Sequence, residues 1–116
     1  LYSDVRKKVS DIMNLHAGIV RNEDRLVEGL AKIDSIASEL DAAAEDGVKE
    51  YYIEAARRLI TVARLIMTPA LMRKESRGGH YREDFPCSDE TFAVHSVQRI
   101  GQSVTTAAVN EDYFKF

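Results

Sequence analysis

A single cysteine, Cys87, stands in the 116 residues. That excludes an internal disulfide and a cysteine-rich zinc site, and it fits a reducing, cytoplasmic compartment. Long apolar runs are missing too. Nothing approaches the roughly 18 residues of a membrane span, because Arg57, Arg58 and Arg64 interrupt the most apolar region. The polar N-terminus, helical in pattern, offers no signal peptide. Positive charge is not in excess. The net charge is −3, which argues against nucleic-acid binding. No glycine-rich phosphate loop follows a strand, so no nucleotide motif is present. Neither an internal repeat nor a low-complexity segment occurs. The chain opens on Leu1 instead of Met, and it is expected to be a piece of something longer.

What is present has the composition of a one-domain globular chain, 45% hydrophobic and 30% charged. Three helical patterns come first. Val5, Val9, Ile12, His16, Ile19 and Val20 recur at spacings of three and four, which mark one helix face. Ser3 or Asp4 is the expected cap. Asn22 is the expected N-cap of a second helix, with Glu23 and Asp24 suiting its positive end. Its stripe is Leu26, Leu30, Ile33, Ala37, Leu40 and Ala44, and Asp46-Gly47 ends it. The third helix is expected from about residue 48 to near residue 75. Its broad face holds Tyr52, Ala55, Ala56, Leu59, Ile60, Ala63, Ile66, Met67, Ala70 and Leu71, with Pro69 inside and Gly78-Gly79 as the stop.

Beyond Pro86, Ser88 or Asp89 is expected to cap a short helical turn holding Phe92 and Ala93. Residues 94–109, rich in Val, Thr and Ser, read as a hairpin turning near Gly101-Gln102. The aromatic tail, residues 110–116, must fold back or meet a partner. The expected fold is all-α: an antiparallel, up-down-up three-helix bundle of the spectrin-repeat kind with a short C-terminal extension. The division is residues 1–90 for the bundle and 91–116 for the extension.

Charge, glycine and histidine concentrate where the third helix ends, from Arg73 to Pro86. His80 has the chemistry of a general base, with Glu75, Glu83 or Asp84 to orient it. Arg77 and Arg82 have that of a bidentate clamp for carboxylate or phosphate. The same residues read first as a plain helix stop, next as a docking loop, and only then as a catalytic cluster. Metal binding is not supported: His16, His80 and His95 share no i, i+4 spacing. His16, in an apolar stripe, reads as a satisfied core histidine. Cys87 has no activating partner in the sequence and reads as a bystander thiol.

Glu75-Ser76-Arg77-Gly78-Gly79-His80-Tyr81-Arg82-Glu83-Asp84-Phe85-Pro86 resembles the ESRG-x-H-x-R-x-D-[FY]-P signature of a flavoprotein family. That family includes L-aspartate oxidase, succinate dehydrogenase and fumarate reductase. Ala17-Gly18-Ile19-Val20-Arg21 resembles the G-[IV]-[VF]-R element closing the first helix of their C-terminal domain. The helix running through Glu54, Ala55, Ala56, Arg57, Arg58 and Leu59 to Ala70, Leu71, Met72 and Arg73 is similar as well. The likeness covers roughly residues 3–90, and the sequence after Ser96 departs from it. His80-Tyr81 and the segment through Asp89, Phe92 and His95 resemble the L-aspartate oxidase branch most.

The resemblance implies a full-length FAD-dependent oxidoreductase that turns L-aspartate into iminoaspartate, the opening step of NAD biosynthesis. Electrons would pass through the flavin to oxygen or fumarate. The flavin-binding and capping domains would lie upstream of Leu1. This chain would then hold no catalytic, cofactor-binding or metal-binding residue of its own, and would be inactive alone. Its role would be to pack on those domains through Glu75, Ser76, Arg77, Gly78, His80, Tyr81 and Arg82. Arg77 and Arg82 would bond carbonyls or carboxylates across that interface, Glu75 would hold Arg77, and Gly78 would allow close approach. Self-association stays open. The other readings are the same domain of a succinate dehydrogenase or fumarate reductase flavoprotein, and an independent helical module binding a partner helix.

Overall fold

The structure, a computed structural model, describes residues 2–109. Three helices lead: α1 (Tyr2–His16), α2 (Glu23–Glu45) and α3 (Glu50–Met72). A 3-10 turn (Glu90–Phe92) and two strands, β1 (Val94–Val97) and β2 (Thr105–Ala108), follow. Each helix packs on the other two, so the expected three-helix bundle with its short extension is what forms. Among the described residues no helix is long and apolar enough to cross a membrane.

The core seam follows the 3.6-residue period closely. On α3 the buried positions are Ile53, Ala56, Ile60, Ala63, Met67 and Ala70, spaced alternately by three and four. The expected ten-residue face was too broad. Tyr52 and Ile66 sit one position off the seam and are exposed, while Ile53 takes the place given to Tyr52. On α2, Leu26, Ile33 and Leu40 are buried as expected, Ile36 joins them and Ala44 is exposed. On α1, Val5, Val9 and His16 face inward. His16 is buried, but only half satisfied. Lys32 Nζ donates to its Nε2 at 3.3 Å, and its Nδ1 has no hydrogen-bond partner among the described residues.

The helix ends correct several expectations. Ser3 and Asp4 lie inside α1, not at its cap. The helix stops at His16, so Ile19 and Val20 fall beyond it and face solvent. Asn22 does cap α2, in extended backbone, with Oδ1 accepting from Arg25 N at 2.8 Å. Helix α3 begins at Glu50 and ends at Met72, six residues before Gly78. The glycines therefore do not stop it.

Pro69 explains how the extension is held. Proline has no N–H, so the carbonyl four residues back loses its helical donor. That carbonyl belongs to Leu65, and the Gln98 side chain donates to it from Nε2 at 2.8 Å. The loop after β1 is thereby pinned to α3. The hairpin forms as expected, antiparallel, with Val94 opposite Ala108 and Val97 opposite Thr105. Asp89 caps the 3-10 turn by accepting from Thr91 N at 2.9 Å. The expectation for the aromatic tail, residues 110–116, lies outside the described residues.

Candidate functional site

Residues 73–92 fold into a charged network at the end of α3. Its first centre is Glu75, wholly buried. Arg73 Nη1 donates to its Oε2 at 2.7 Å, Arg77 Nε spans both oxygens at 3.1 and 3.2 Å, and Asp89 N reaches Oε1 at 2.9 Å. Burial pushes this carboxyl up. The hydrogen bonds from Arg77, Asp89 and Arg73 together outweigh it and bring the group from an ordinary 4.5 down to about 2. Arg73 carries the network onward: its guanidinium donates to Phe92 O, to Val94 O at 2.7 Å and to Ser96 Oγ at 3.1 Å. One buried carboxylate thus ties the signature to the 3-10 turn and to β1.

The second centre is Arg82, also wholly buried. Its Nε and Nη2 meet the two oxygens of Asp84 at 3.1 and 2.7 Å, a bidentate pair. Its Nη1 faces the carbonyls of Leu71 at 2.8 Å and of Ala70 and Arg73 at 3.4 Å each. Those are the last carbonyls of α3, which have no donor within the helix. A distant guanidinium, not glycine, therefore satisfies the helix end. The Arg82 hydrogen bonds hold the Asp84 carboxyl below its ordinary value.

Ser76 and His80 knit the loop. Ser76 Oγ donates to Phe85 O at 2.8 Å and accepts from Arg82 N at 2.9 Å. Arg77 and His80 exchange backbone bonds at 2.8 and 3.0 Å around a turn. There Gly78 adopts φ of 59°, with nothing among the described residues within 4 Å of where a Cβ would stand. It serves the left-handed turn, not a close approach to any of them. His80 Nε2 donates to Arg73 O at 3.0 Å, so its Nδ1 is the acceptor for Arg21 Nη1 at 3.2 Å. Burial, with Arg21, Arg82 and Arg73 nearby, pushes its pKa below 6.5 against the upward pull of the Arg73 carbonyl. This is a neutral, donor-and-acceptor histidine.

The two sequence likenesses turn out to be neighbours. Arg21 N donates to Tyr81 O at 3.0 Å, and Glu83 N donates to Arg21 O at 2.8 Å. A parallel bridge pairs Arg21 with Arg82. Asn22 Nδ2 donates to Glu83 Oε1, and Glu23 N to Asp84 Oδ2 at 3.1 Å. Gly18 is needed at this corner, because a Cβ there would stand 2.6 Å from Asn14 O. The α1–α2 connection and the signature loop are one substructure.

Of the expected interface residues, Glu75 and Arg82 are buried, Ser76 and His80 are half-buried, and Arg77, Gly78 and Tyr81 are exposed. Arg82 does find backbone carbonyls and a carboxylate, all in its own chain. Glu75 does hold Arg77. Among the described residues no carboxylate hydrogen-bonds to His80: Glu75 serves the arginines, Asp84 serves Arg82, and Glu83 serves Asn22. The acid–base pairing readable in the sequence is not assembled. Arg21, Arg73, Asp84 and Asp89 belong to the network and were not among the expected interface residues. The signal for Asp84 was its place two residues after Arg82; none linked Arg21 to His80. Among the described residues no group of three or more metal-ligating side chains forms, and Cys87 is exposed.

The pKa directions fix how the fold responds to acid. His80 is harder to protonate folded than unfolded, so its contribution is complete above pH 6.5 and shrinks as pH falls below that. Glu75 is harder to protonate folded as well, so its contribution is complete above 4.5 and disappears as pH falls to about 2. Melting temperature should therefore drop in two stages from about pH 8 to about pH 2. In His80→Gln, which keeps a donor and an acceptor, the first stage should vanish and the second remain. A single drop in the parent chain would contradict this.

Residues 6–114 match the protein family described as fumarate reductase flavoprotein C-term. The chain is 42% identical over 94 residues to an uncharacterized FAD-dependent oxidoreductase of Methanocaldococcus jannaschii, a match covering 79% of this chain and 16% of that protein. It is 39% identical over 93 residues to an L-aspartate oxidase of Pyrococcus furiosus, covering 80% of this chain and 16% of the relative. A fumarate reductase (CoM/CoB) polypeptide of Methanothermobacter marburgensis is 32% identical over 89 residues, covering 72% and 16%. The chain thus spans about a sixth of the length of these relatives.

Proposed function

This chain belongs to the fumarate reductase flavoprotein C-terminal family, and from that premise we propose that it is the non-catalytic C-terminal domain of an FAD-dependent L-aspartate oxidase. The whole enzyme would oxidise L-aspartate to iminoaspartate in NAD biosynthesis, in the cytoplasm, with FAD held by its flavin-binding domain. This domain binds no FAD itself. It packs on the flavin-binding and capping domains and stabilises them. The bundle, residues 1–90, is the packing unit, with 91–116 as its extension. Arg77, Gly78 and Tyr81 face the other domains, and Glu75, Ser76, His80 and Arg82 hold the loop in shape behind them. Self-association of the enzyme is compatible with this arrangement.

The observation that carries the reading is how the signature spends its charges. The buried groups Glu75 and Arg82 close on the chain's own backbone and side chains. That is the work of a scaffold, not of a reaction centre. The similarity to L-aspartate oxidases of three Pyrococcus species, at 37–40% identity, favours that branch. The similarity to the Methanothermobacter marburgensis fumarate reductase supports the second reading, the same domain in a succinate dehydrogenase or fumarate reductase flavoprotein.

A segment exchange tests both. This chain replaces the aligned segment in the Pyrococcus furiosus L-aspartate oxidase and, separately, in the Methanothermobacter marburgensis fumarate reductase. The expected result is retained flavin and L-aspartate oxidation in the first, with poorer flavin retention in the second. The reverse order favours the second reading. Folded, flavin-free protein in both backgrounds sinks the proposal.

A further inference from the structure

Apolar side chains collect where the two signature segments meet. The parallel pairing of Arg21 with Arg82 sets Val20 beside Tyr81 and Asn22 beside Glu83. The Asn22–Glu83 hydrogen bond ties the two segments on the far flank of that bridge, while the Arg82 side chain turns into the end of α3. Val20 is 40% exposed and Tyr81 42%, and Ile19 next to them is 88% exposed. An isoleucine so exposed, in a corner held by Gly18, Arg21 and the signature network, is costly to leave in water.

Resting on the proposed reading, we infer that Ile19, Val20 and Tyr81 form the apolar anchor by which this domain seats on the remainder of its own flavoprotein. Two arguments select that occupant over a second copy of the chain. The relatives carry this segment as about 16% of their length, so most of each protein lies elsewhere and must meet this segment across some face. Three side chains also fall far short of the roughly 1,000 Å² that a free-standing specific interface needs. A tethered domain is held at an effective concentration on the order of millimolar, so a small anchor suffices. Buried Arg82 and half-buried Arg21 set the shape of the corner, and its apolar side chains make the contact.

The test places Ile19→Asp together with Val20→Asp in the Pyrococcus furiosus exchange protein and in the 116-residue chain itself. Val62→Asp, an exposed apolar position on α3, is the control. The expected result is loss of most bound flavin and release of the domain by limited proteolysis in the exchange protein. The melting temperature of the chain alone should be unchanged, and Val62→Asp should be silent in both. Failure of the unsubstituted exchange protein sinks the proposed function, and the inference falls with it. If the unsubstituted exchange protein is active and the Asp variant keeps its flavin, the inference alone is overturned. A chain that self-associates through this corner, and loses that association in the Asp variant while the exchange protein keeps its flavin, overturns it in favour of a second copy.

Discussion

Arg82→Met will remove about 3–5 kcal/mol of stability, the usual consequence of breaking a buried ion pair from one side. Domains of this size hold about 5–15 kcal/mol in total, so the variant should reach its unfolding midpoint well below the parent. The methionine fills much of the volume, which leaves the polar groups as the cause. Asp84 loses its bidentate partner, and the carbonyls of Leu71 and Ala70 lose their side-chain donor at a buried helix end, while that of Arg73 keeps only His80. Urea denaturation of parent and variant measures the difference. Arg82→Lys should recover only part of it, because one ammonium cannot reach Asp84 and three carbonyls together. Adding Asp84→Asn to Arg82→Met should restore some stability by removing the orphaned charge. A loss below about 1 kcal/mol would show that the buried guanidinium does not hold the end of α3.

The same residue explains a boundary that the sequence misplaces. Read locally, a helix rich in Arg and Lys and followed by Gly78-Gly79 should run to the glycines. It stops at Met72 because its terminal carbonyls find a donor ten or so residues onward, and no local rule detects a cap that arrives through space. The N-cap of α2 is the opposite case. Asn22 bonds the backbone N–H three residues on, a short-range event that residue type alone announces. Core positions were legible where the 3.6 period is clean, as with Val5, Val9, Leu26, Ile33 and Leu40. They blurred on α3, where nearly every second residue is apolar and only packing selects Ile53 over Tyr52.

The candidate site divides in the same way. Its residue types and their place at the end of α3 were readable, and so was the resemblance to a family signature. Which charges face each other was not. The contact between Arg21 and His80 spans 59 positions, and the tie between Gln98 and Leu65 exists only because Pro69 leaves a carbonyl without a donor. Long-range hydrogen bonds of this kind decide what a charged loop does. Here they direct Glu75 and Asp84 to arginines and Glu83 to Asn22 instead of to His80.

Glu75→Gln should cost about 3 kcal/mol, the lower end for a broken buried pair, because its two arginines differ in what they can do next. Arg77 is partly exposed and can turn to water, whereas Arg73 is 15% exposed in its side chain. Arg73 keeps its bonds to Phe92, Val94 and Ser96, so it stays in place with its charge uncompensated. The amide adds a second fault, since its NH2 must face donors on one side. The damage should be local. Amides from Asp89 through Val97 should exchange with solvent faster, while the core of α2 keeps its protection. Acid adds an independent check. Protonation of this carboxyl removes stability between pH 4.5 and about 2, beside the contribution of Asp84, which is also held below its ordinary value, so the Gln variant should show a flatter profile across that window. A full acid transition there, together with unchanged exchange at Asp89, would assign both effects to other carboxylates and remove Glu75 from the centre of the network.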